Sequence, residues 1–350
     1  MGTVARVIGL SLLTLVPGIS GGSETYAREL VRALGRVGEL DYRVFLPRIA
    51  ADVEGLPAEV VPEYRASRTL PGRVAAMSYA ALWRRPILRR FDGLDALHFP
   101  LSVMLPPVSE PPAVTSILDV QHEFFPAFFG RAELTYRKVV YLRTARRSRL
   151  VITISEHAAA TIRERLGVPR TRLRPIHLGI DHERFRPGGE EREDFLLYPA
   201  RPWPHKNHAR LFEAMTLLPG LRLVLTGYEG PVPDGVESLG RVSADELAAL
   251  YRRAAALVFP SLYEGFGQPP LEAMACGCPV ACSSRGSLPE VVGNAARLFD
   301  PESPDAIAAA VRDVLAAPEE WRAKGLARAA GFTWEACARA HEDVYRELAG

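Results

Sequence analysis

The sequence predicts an α/β protein made of two parallel-sheet domains in series, and three observations carry that prediction. With 350 residues the chain is long for a single hydrophobic core. Short apolar runs alternate with amphipathic stretches, and do so again after a proline- and glycine-rich link; helices packed on a parallel sheet produce that rhythm. Charge divides the chain near the same place. Residues 1–178 hold 25 Lys+Arg against 16 Asp+Glu, a balance of +9, while residues 179–350 hold 18 against 25, or −7, which together give the net +2. Halves of opposite sign point to different partners for each.

In the first half, strands are expected at residues 6–16, 43–46, 96–99, 113–118 and 150–155, with helices at 24–37, 73–91, 132–147 and 156–166. The apolar run 7–16 after Arg6 mimics a signal-peptide core. The next residues decide for a strand: Pro17-Gly18-Ile19-Ser20-Gly21-Gly22-Ser23 leads into an amphipathic run, giving strand, glycine loop and helix. Residues 174–189 read as a link. The second half has expected strands at 195–199, 221–226, 257–260, 279–283 and 296–299. Its helices fall at 208–217, 244–254, 270–275, 288–292 and 304–317, and a last helix, 335–348, comes after Trp334. Domains are expected at 1–178 and 179–333, with 334–350 as a terminal helix.

Composition excludes several classes. Hydrophobic residues make up 48% and charged residues 24%, as in an ordinary globular protein. No run reaches the roughly 18 apolar residues of a membrane span. Cys276, Cys278, Cys282 and Cys337 have neither a disulfide framework's spacing nor the histidines of a zinc site, so they read as small buried residues in a reducing cytoplasm. With no Asp-x-Asp and no metal-ligand spacing, no metal site is expected.

Four clusters are candidates for chemistry. In Pro260-Ser261-Leu262-Tyr263-Glu264-Gly265-Phe266-Gly267-Gln268-Pro269-Pro270-Leu271-Glu272, two carboxylates flank a glycine turn and a Pro-Pro step. Glu264 is expected on a loop at a strand's carboxyl end and Glu272 in the first turn of the next helix, where ligands of open α/β sheets bind and free amides favour an anion. The two carboxylates suit either a glycosidase-like acid and base or two separate acceptors for sugar and ribose hydroxyls; Glu272 also suits a helix-capping acid. Arg201 and Lys206, on a loop stiffened by three prolines, suit a diphosphate and the charge of its departure, or are solvated surface cations. Gly21 and Gly22 let backbone amides approach a ligand, or make a tight turn. His122, expected on a loop after an apolar strand, suits a hydrogen bond to a sugar, or is a structural histidine satisfied by Asp119.

Together these clusters resemble the retaining glycosyltransferases of family 4. The resemblance spans nearly the whole chain and is most specific from Phe259 through Glu264-Gly265-Phe266-Gly267 and Glu272-Ala273-Met274-Ala275-Cys276-Gly277 to Leu288-Pro289-Glu290-Val291. Further matches are Gly21-Gly22, Thr153-Ile154-Ser155, His177-Leu178-Gly179-Ile180-Asp181 with Phe185-Arg186-Pro187, and Arg201 with Lys206-Asn207. What the resemblance implies is the GT-B fold: two Rossmann-like parallel-sheet domains facing across a cleft, the C-terminal helix crossing back to the N-terminal domain. It implies a nucleotide-diphosphate sugar as donor, UDP- or GDP-linked, with no cofactor and no metal. Glu264 would contact the donor sugar's hydroxyls and Glu272 the ribose. Arg201 and Lys206 would hold the diphosphate, with Gly265, Phe266 and Gly267 lining the donor and Gly21 and Gly22 closing over it. His122 would lie near the donor sugar. Front-face transfer of a hexose, mannose or glucose, with retention is the expected mechanism.

The acceptor is expected to be a saccharide or a lipid-linked sugar in cell-surface polysaccharide or glycolipid assembly. Arg84, Arg85, Arg89 and Arg90 fall on one expected helix beside Trp83 and Phe91, and Arg137, Lys138, Arg143, Arg146, Arg147 and Arg149 on another stretch. Such charge suits docking from the cytoplasm on an anionic membrane, or forms solvated helix faces. Nucleic acid is not expected, since no recognition motif accompanies the charge. Two rival readings share the same fold: a nucleotide-sugar epimerase or phosphorylase, and a non-catalytic nucleotide-sugar-binding subunit.

Overall fold

The computed structural model describes residues 6–19, 21–50 and 52–350 and divides the chain into two compact units. The first comprises Met1–Leu178 with Trp334–Gly350, the second Gly179–Thr333. In the first unit the strands are β1 (Val7–Ser11), β2 (Asp41–Pro47), β3 (Ala58–Val61), β4 (Ala96–Phe99), β5 (Ala113–Ser116), β6 (Leu150–Thr153) and β7 (Leu173–Pro175). All pair in parallel, in the order β3-β2-β1-β4-β5-β6-β7. Between them run α1 (Gly22–Val37), α2 (Leu70–Leu82), α3 (Arg85–Arg89), α4 (Gln121–Phe124), α5 (Arg131–Arg147) and α6 (Glu156–Leu166). Capping sets α6: the Ser155 hydroxyl accepts from Ala158 N at 2.9 Å, and Gly167 ends the helix in the left-handed region at φ 68°.

The expected first strand is cut short: after Ser11 only Leu12 N still bonds to the sheet, to Phe45 O at 2.9 Å, and residues 13–16 leave it, buried except at Thr14. The expected helix 73–91 is two helices. Trp83 closes α2 and Pro86 sits in the first turn of α3, the one place where a proline costs a helix nothing.

The second unit repeats the plan with β8 (Glu193–Pro199), β9 (Arg222–Thr226), β10 (Val236–Ser238), β11 (Ala254–Phe259), β12 (Val280–Ser283) and β13 (Arg297–Phe299). These too are parallel, in the order β10-β9-β8-β11-β12-β13. Their helices are α7 (His208–Met215), α8 (Ala244–Arg253), α9 (Gln268–Ala275), α10 (Leu288–Val292), α11 (Pro304–Ala316) and α12 (Pro318–Ala329). The central strands are apolar nearly throughout: Phe195–Tyr198 and Ala256–Phe259 are buried, as strands covered on both faces must be.

In each sheet the order reverses once, between β1 and β4 and between β8 and β11. At such a reversal successive crossovers leave on opposite faces, opening a crevice at the strands' carboxyl ends. The loops after β8 and β11 therefore border the crevice of the second unit, and that is where Arg201, Lys206 and Glu264 lie.

The last helix, α13 (Trp334–Ala349), belongs to the first unit and packs on α1. A buried polar chain holds it there. The Tyr26 hydroxyl lies 2.8 Å from His341 Nε2 and 2.7 Å from Ser116 Oγ. His98 bridges Ser116 Oγ and the Tyr345 hydroxyl, each at 2.7 Å. Buried Glu342 accepts from Glu39 N at 2.7 Å, Leu40 N at 3.1 Å and the Tyr42 hydroxyl at 2.5 Å.

Candidate functional site

Two loops of the second unit meet at its crevice. After β8, Pro202 and Pro204 stiffen the path to Lys206, whose N–H donates to Trp203 O at 2.8 Å. From beneath, the buried Tyr198 hydroxyl donates to Lys206 O at 2.6 Å. Asn207 then adopts the left-handed conformation at φ 61°, and its Nδ2 donates to Pro260 O at 3.1 Å and Pro301 O at 2.7 Å. One amide thus ties the loop after β8 to those after β11 and β13. Leu262 N adds a bond to His205 O at 2.8 Å.

The loop after β11 is fixed just as closely. Ser287 donates from its N–H to Glu264 O at 3.3 Å, and its Oγ stands 3.0 Å from Glu264 O and 2.7 Å from Phe266 O, the two acceptors open to its one proton. Gly286, at φ 64°, lies so near that a Cβ there would stand 2.9 Å from Glu264 N and O. Gly267, at φ 106°, opens α9 and leaves no room for a Cβ beside Leu288. With both backbones fixed, the side chains of Lys206 and Glu264 come together: Nζ donates to Oε1 at 2.5 Å, with 15% and 14% of each side chain exposed. Arg201, on the same loop, is exposed with its guanidinium 5.8 Å from the Trp203 ring centroid.

Glu272 departs from expectation. The helix begins at Gln268, so Glu272 is its fifth residue and lies in the second turn, where capping is no longer its duty. It retains little exposure and accepts from the Tyr251 hydroxyl at 3.1 Å. Burial pushes its carboxyl up to about 7 against that hydrogen bond. The amide supply at this helix start is also smaller than expected. Pro269 and Pro270 carry no N–H, so only Gln268 and Leu271 donate from the first four residues.

The other candidates lie in the first unit. Gly21 caps α1 at φ 52° and Gly22 is its first residue, and a Cβ at either would meet nothing within 4 Å. His122 is not on a loop but within the short helix α4, fully buried. Asp119 does not satisfy it: Asp119 Oδ1 accepts from Gln121 N at 3.0 Å, and neither ring nitrogen of His122 has a hydrogen-bond partner. Glu123 Oε1 stands 3.6 Å from Nε2, beyond hydrogen-bond reach. Burial, with Arg137 and Lys138 nearby, pushes the imidazole down to about 4, so it is neutral at pH 7. The basic clusters are revised too. Phe91 is buried in the core, and Arg90 pairs with Glu59 and, at 2.8 Å, Glu63. Arg84, Arg85 and Arg89 remain exposed.

Sequence reasoning foresees no role for Tyr198, Tyr251 and Ser287, nor for Asn207 beyond its place in the Lys206-Asn207 match; all four hold the site without joining it. Only Asn207 left a signal, as an asparagine just before an amphipathic run. Among the described residues no cluster of three His, Cys, Asp or Glu is arranged to hold a metal ion, and the four cysteines are buried. No described helix is long and apolar enough to cross a membrane.

Comparison with known proteins identifies the family and the fold. The model of Glycosyltransferase Family 4 matches residues 20–184, and that of Glycosyl transferases group 1 matches residues 180–325. The chain is 31% identical to O-antigen chain mannosyltransferase B of Escherichia coli over 269 residues, 67% of this chain and 70% of that protein. It is 33% identical to the MMP alpha-(1->4)-mannosyltransferase of Mycolicibacterium hassiacum over 228 residues, 59% of this chain but 56% of that one. Anabaena HepE, solved in complex with UDP, superposes with a TM-score of 0.73 at 16% identity, covering 98% of this chain and 100% of the other. The chain belongs to glycosyltransferase family 4 and has the GT-B fold.

Proposed function

We propose that this glycosyltransferase moves a hexose, mannose by preference, from a nucleotide-diphosphate sugar to an acceptor hydroxyl with retention, in the assembly of a cell-surface polysaccharide or glycolipid. The observation that carries the reading is the Lys206–Glu264 pair at the crevice between β8 and β11. A cation for a leaving diphosphate stands beside an acceptor for sugar hydroxyls, both on loops tied to each other. The relatives support the sugar, because two of them are named mannosyltransferases, and the UDP complex of HepE supports a nucleoside diphosphate as the carrier.

In the proposed reaction the bond from the sugar's C1 to the diphosphate oxygen breaks and its electrons go to the phosphate. Lys206 and Arg201 stabilise that developing charge, the largest catalytic term in such sites. The acceptor oxygen forms its bond to C1 from the same face, and its proton passes to the departing phosphate. Glu264 accepts from sugar hydroxyls and Glu272 from the ribose. His122, neutral and with neither ring nitrogen hydrogen-bonded, would donate to a saccharide hydroxyl once a shift of α4 uncovers its buried ring. No side chain becomes covalently bonded, and the residues supply the charge that a metal ion supplies elsewhere. A lipid-linked acceptor fits the exposed arginines and aromatics of α2 and α3.

The deciding experiment is a calorimetric screen of UDP- and GDP-sugars, followed by release of free nucleotide with and without acceptor extracts in EDTA. Acceptor-dependent release and an axial product anomer from an axial donor are expected. Binding without release under any acceptor would leave a nucleotide-sugar-binding protein, and a trapped sugar on Glu264 would overturn the mechanism.

A further inference from the structure

We propose that Glu264 competes with bound nucleotide for Lys206, so that the site favours the sugar-bearing diphosphate over the free nucleoside diphosphate and expels the latter once the sugar has gone. The proposal rests on the donor reading above and adds to it a reason for product release.

The pair is a property of two fixed loops. Lys206 is held at its own N–H and carbonyl, and Glu264 at its carbonyl by Ser287, so the 2.5 Å contact does not depend on two mobile surface chains. Both side chains are largely withdrawn from water, which raises the cost of separating them above that of an exposed ion pair. Lys206 also has the Phe259 ring beneath it, 5.4 Å from Nζ to the centroid, so its ammonium has little water to turn to.

A diphosphate that takes Lys206 therefore creates a problem. It leaves the Glu264 carboxylate without its cation, and places phosphate oxygens of the same sign close by. Hydroxyl groups solve it, since they donate to the carboxylate where the ammonium did. Only a nucleotide that still carries its sugar brings those hydroxyls. After transfer the hydroxyls leave with the acceptor, Glu264 is again without donors, and Lys206 is its nearest cation. Arg201 contrasts with Lys206. No carboxylate lies within ion-pair distance of it among the described residues, so its attraction for phosphate carries no such condition.

The test measures equilibrium binding of UDP, GDP and their hexose conjugates to the full chain, to Glu264→Gln, to Lys206→Met and to the double variant. Thermal melting establishes that each is folded. Glu264→Gln should bind the free nucleoside diphosphate about tenfold more tightly, about 1.4 kcal/mol, while its affinity for the sugar conjugate stays the same or falls. With Lys206→Met in place, Glu264→Gln should tighten nucleotide binding clearly less, because the cation under competition is already gone and only the repulsion between carboxylate and phosphate is left to relieve. If Glu264→Gln does not fold, Glu264→Ala, which also removes the carboxylate, takes its place. Unchanged or weaker nucleotide binding in a folded Glu264 variant overturns the proposal. Equal tightening with and without Lys206 overturns it too, by assigning the effect to repulsion alone. Failure of the unaltered chain to bind any of the ligands overturns the donor reading itself.

Discussion

The Tyr251 hydroxyl of α8 donates to Glu272 Oε2 of α9 at 3.1 Å, the hydrogen bond that opposes burial of that carboxyl. It stabilises the charged form, yet desolvation prevails and holds the group up at about 7. A carboxyl raised above its unfolded value of 4.5 costs stability as pH rises between the two values, since the folded state there binds more protons. Glu272→Gln should therefore be roughly 2 kcal/mol more stable than the parent above pH 8 and no more stable at pH 4. Donor affinity should run the other way. On the proposed ribose-binding role the ionised carboxylate is the stronger acceptor, so affinity in the parent should rise with pH through about 7, and calorimetry on Glu272→Gln should show that dependence gone.

Lys206→Ala should lower kcat by roughly a hundredfold or more and raise the donor KM by much less, because a cation aimed at leaving-group charge acts chiefly in the transition state. Steady-state kinetics separates the two. Equal effects on both would make Lys206 a plain phosphate anchor.

Asn207 combines a left-handed backbone with two side-chain bonds to buried carbonyls, and two substitutions separate these roles. Glycine keeps the conformation and loses the bonds, while alanine loses both. Asn207→Gly should cost about 1–3 kcal/mol and Asn207→Ala about 1 kcal/mol more, read from denaturant melts. Both should lower kcat, since the loop carrying Lys206 is no longer tied to Pro260.

Acid should weaken the seat of α13. His341 is pushed down to about 4 and His98 well below its ordinary range, both by burial, and the groups facing them are the Tyr26 and Tyr345 hydroxyls, Ser116 and Cys337. Each is neutral when folded and gains a proton on unfolding below its unfolded value near 6.5, so stability should fall as pH drops from about 6.5 towards 4. The slope approaches about 1.4 kcal/mol per pH unit for each histidine. His341→Gln should be less stable at pH 7.5 and lose less between pH 7 and 5. An unchanged slope would place the acid sensitivity elsewhere.

Much of this architecture was legible because burial leaves a mark in the residues. β11, β12, α6 and α10 each announce themselves by an apolar run or stripe between turn signals, and the two carboxylates and two cations could be assigned to one edge of one sheet. Edge strands leave less. β3 and β10 are short and half exposed, so Ala58–Val61 and Val236–Ser238 carry neither an apolar run nor a clean alternation. Side-chain pairing leaves nothing at all: Lys206 and Glu264 are 58 residues apart, and only the parallel register of β8 on β11 brings them together. The Pro-Pro step misplaces Glu272 by one turn, because the helix starts before it, at Gln268.

Exposed aromatic and aliphatic side chains lie along α2 and α3. Tyr79, Leu82 and Trp83 are 56%, 80% and 67% exposed, and residues 64–91 contain seven arginines and no acidic residue. The Tyr136 hydroxyl donates to Met77 Sδ at 3.1 Å, which brings α5, with exposed Lys138 and Arg143, alongside α2. Aromatic and aliphatic tips among arginines suit the headgroup layer of an anionic bilayer, where rings sit at the interface and guanidinium groups meet phosphates. Vesicles containing phosphatidylglycerol should sediment the chain at low salt, and raising salt to about 0.5 M should release most of it, as screening shortens the reach of the charges. Leu82→Ser with Trp83→Ala should weaken binding about tenfold or more without altering the fold, since both side chains are exposed in the free protein. Sedimentation that is indifferent to lipid charge, or to these two residues, would return the surface to water.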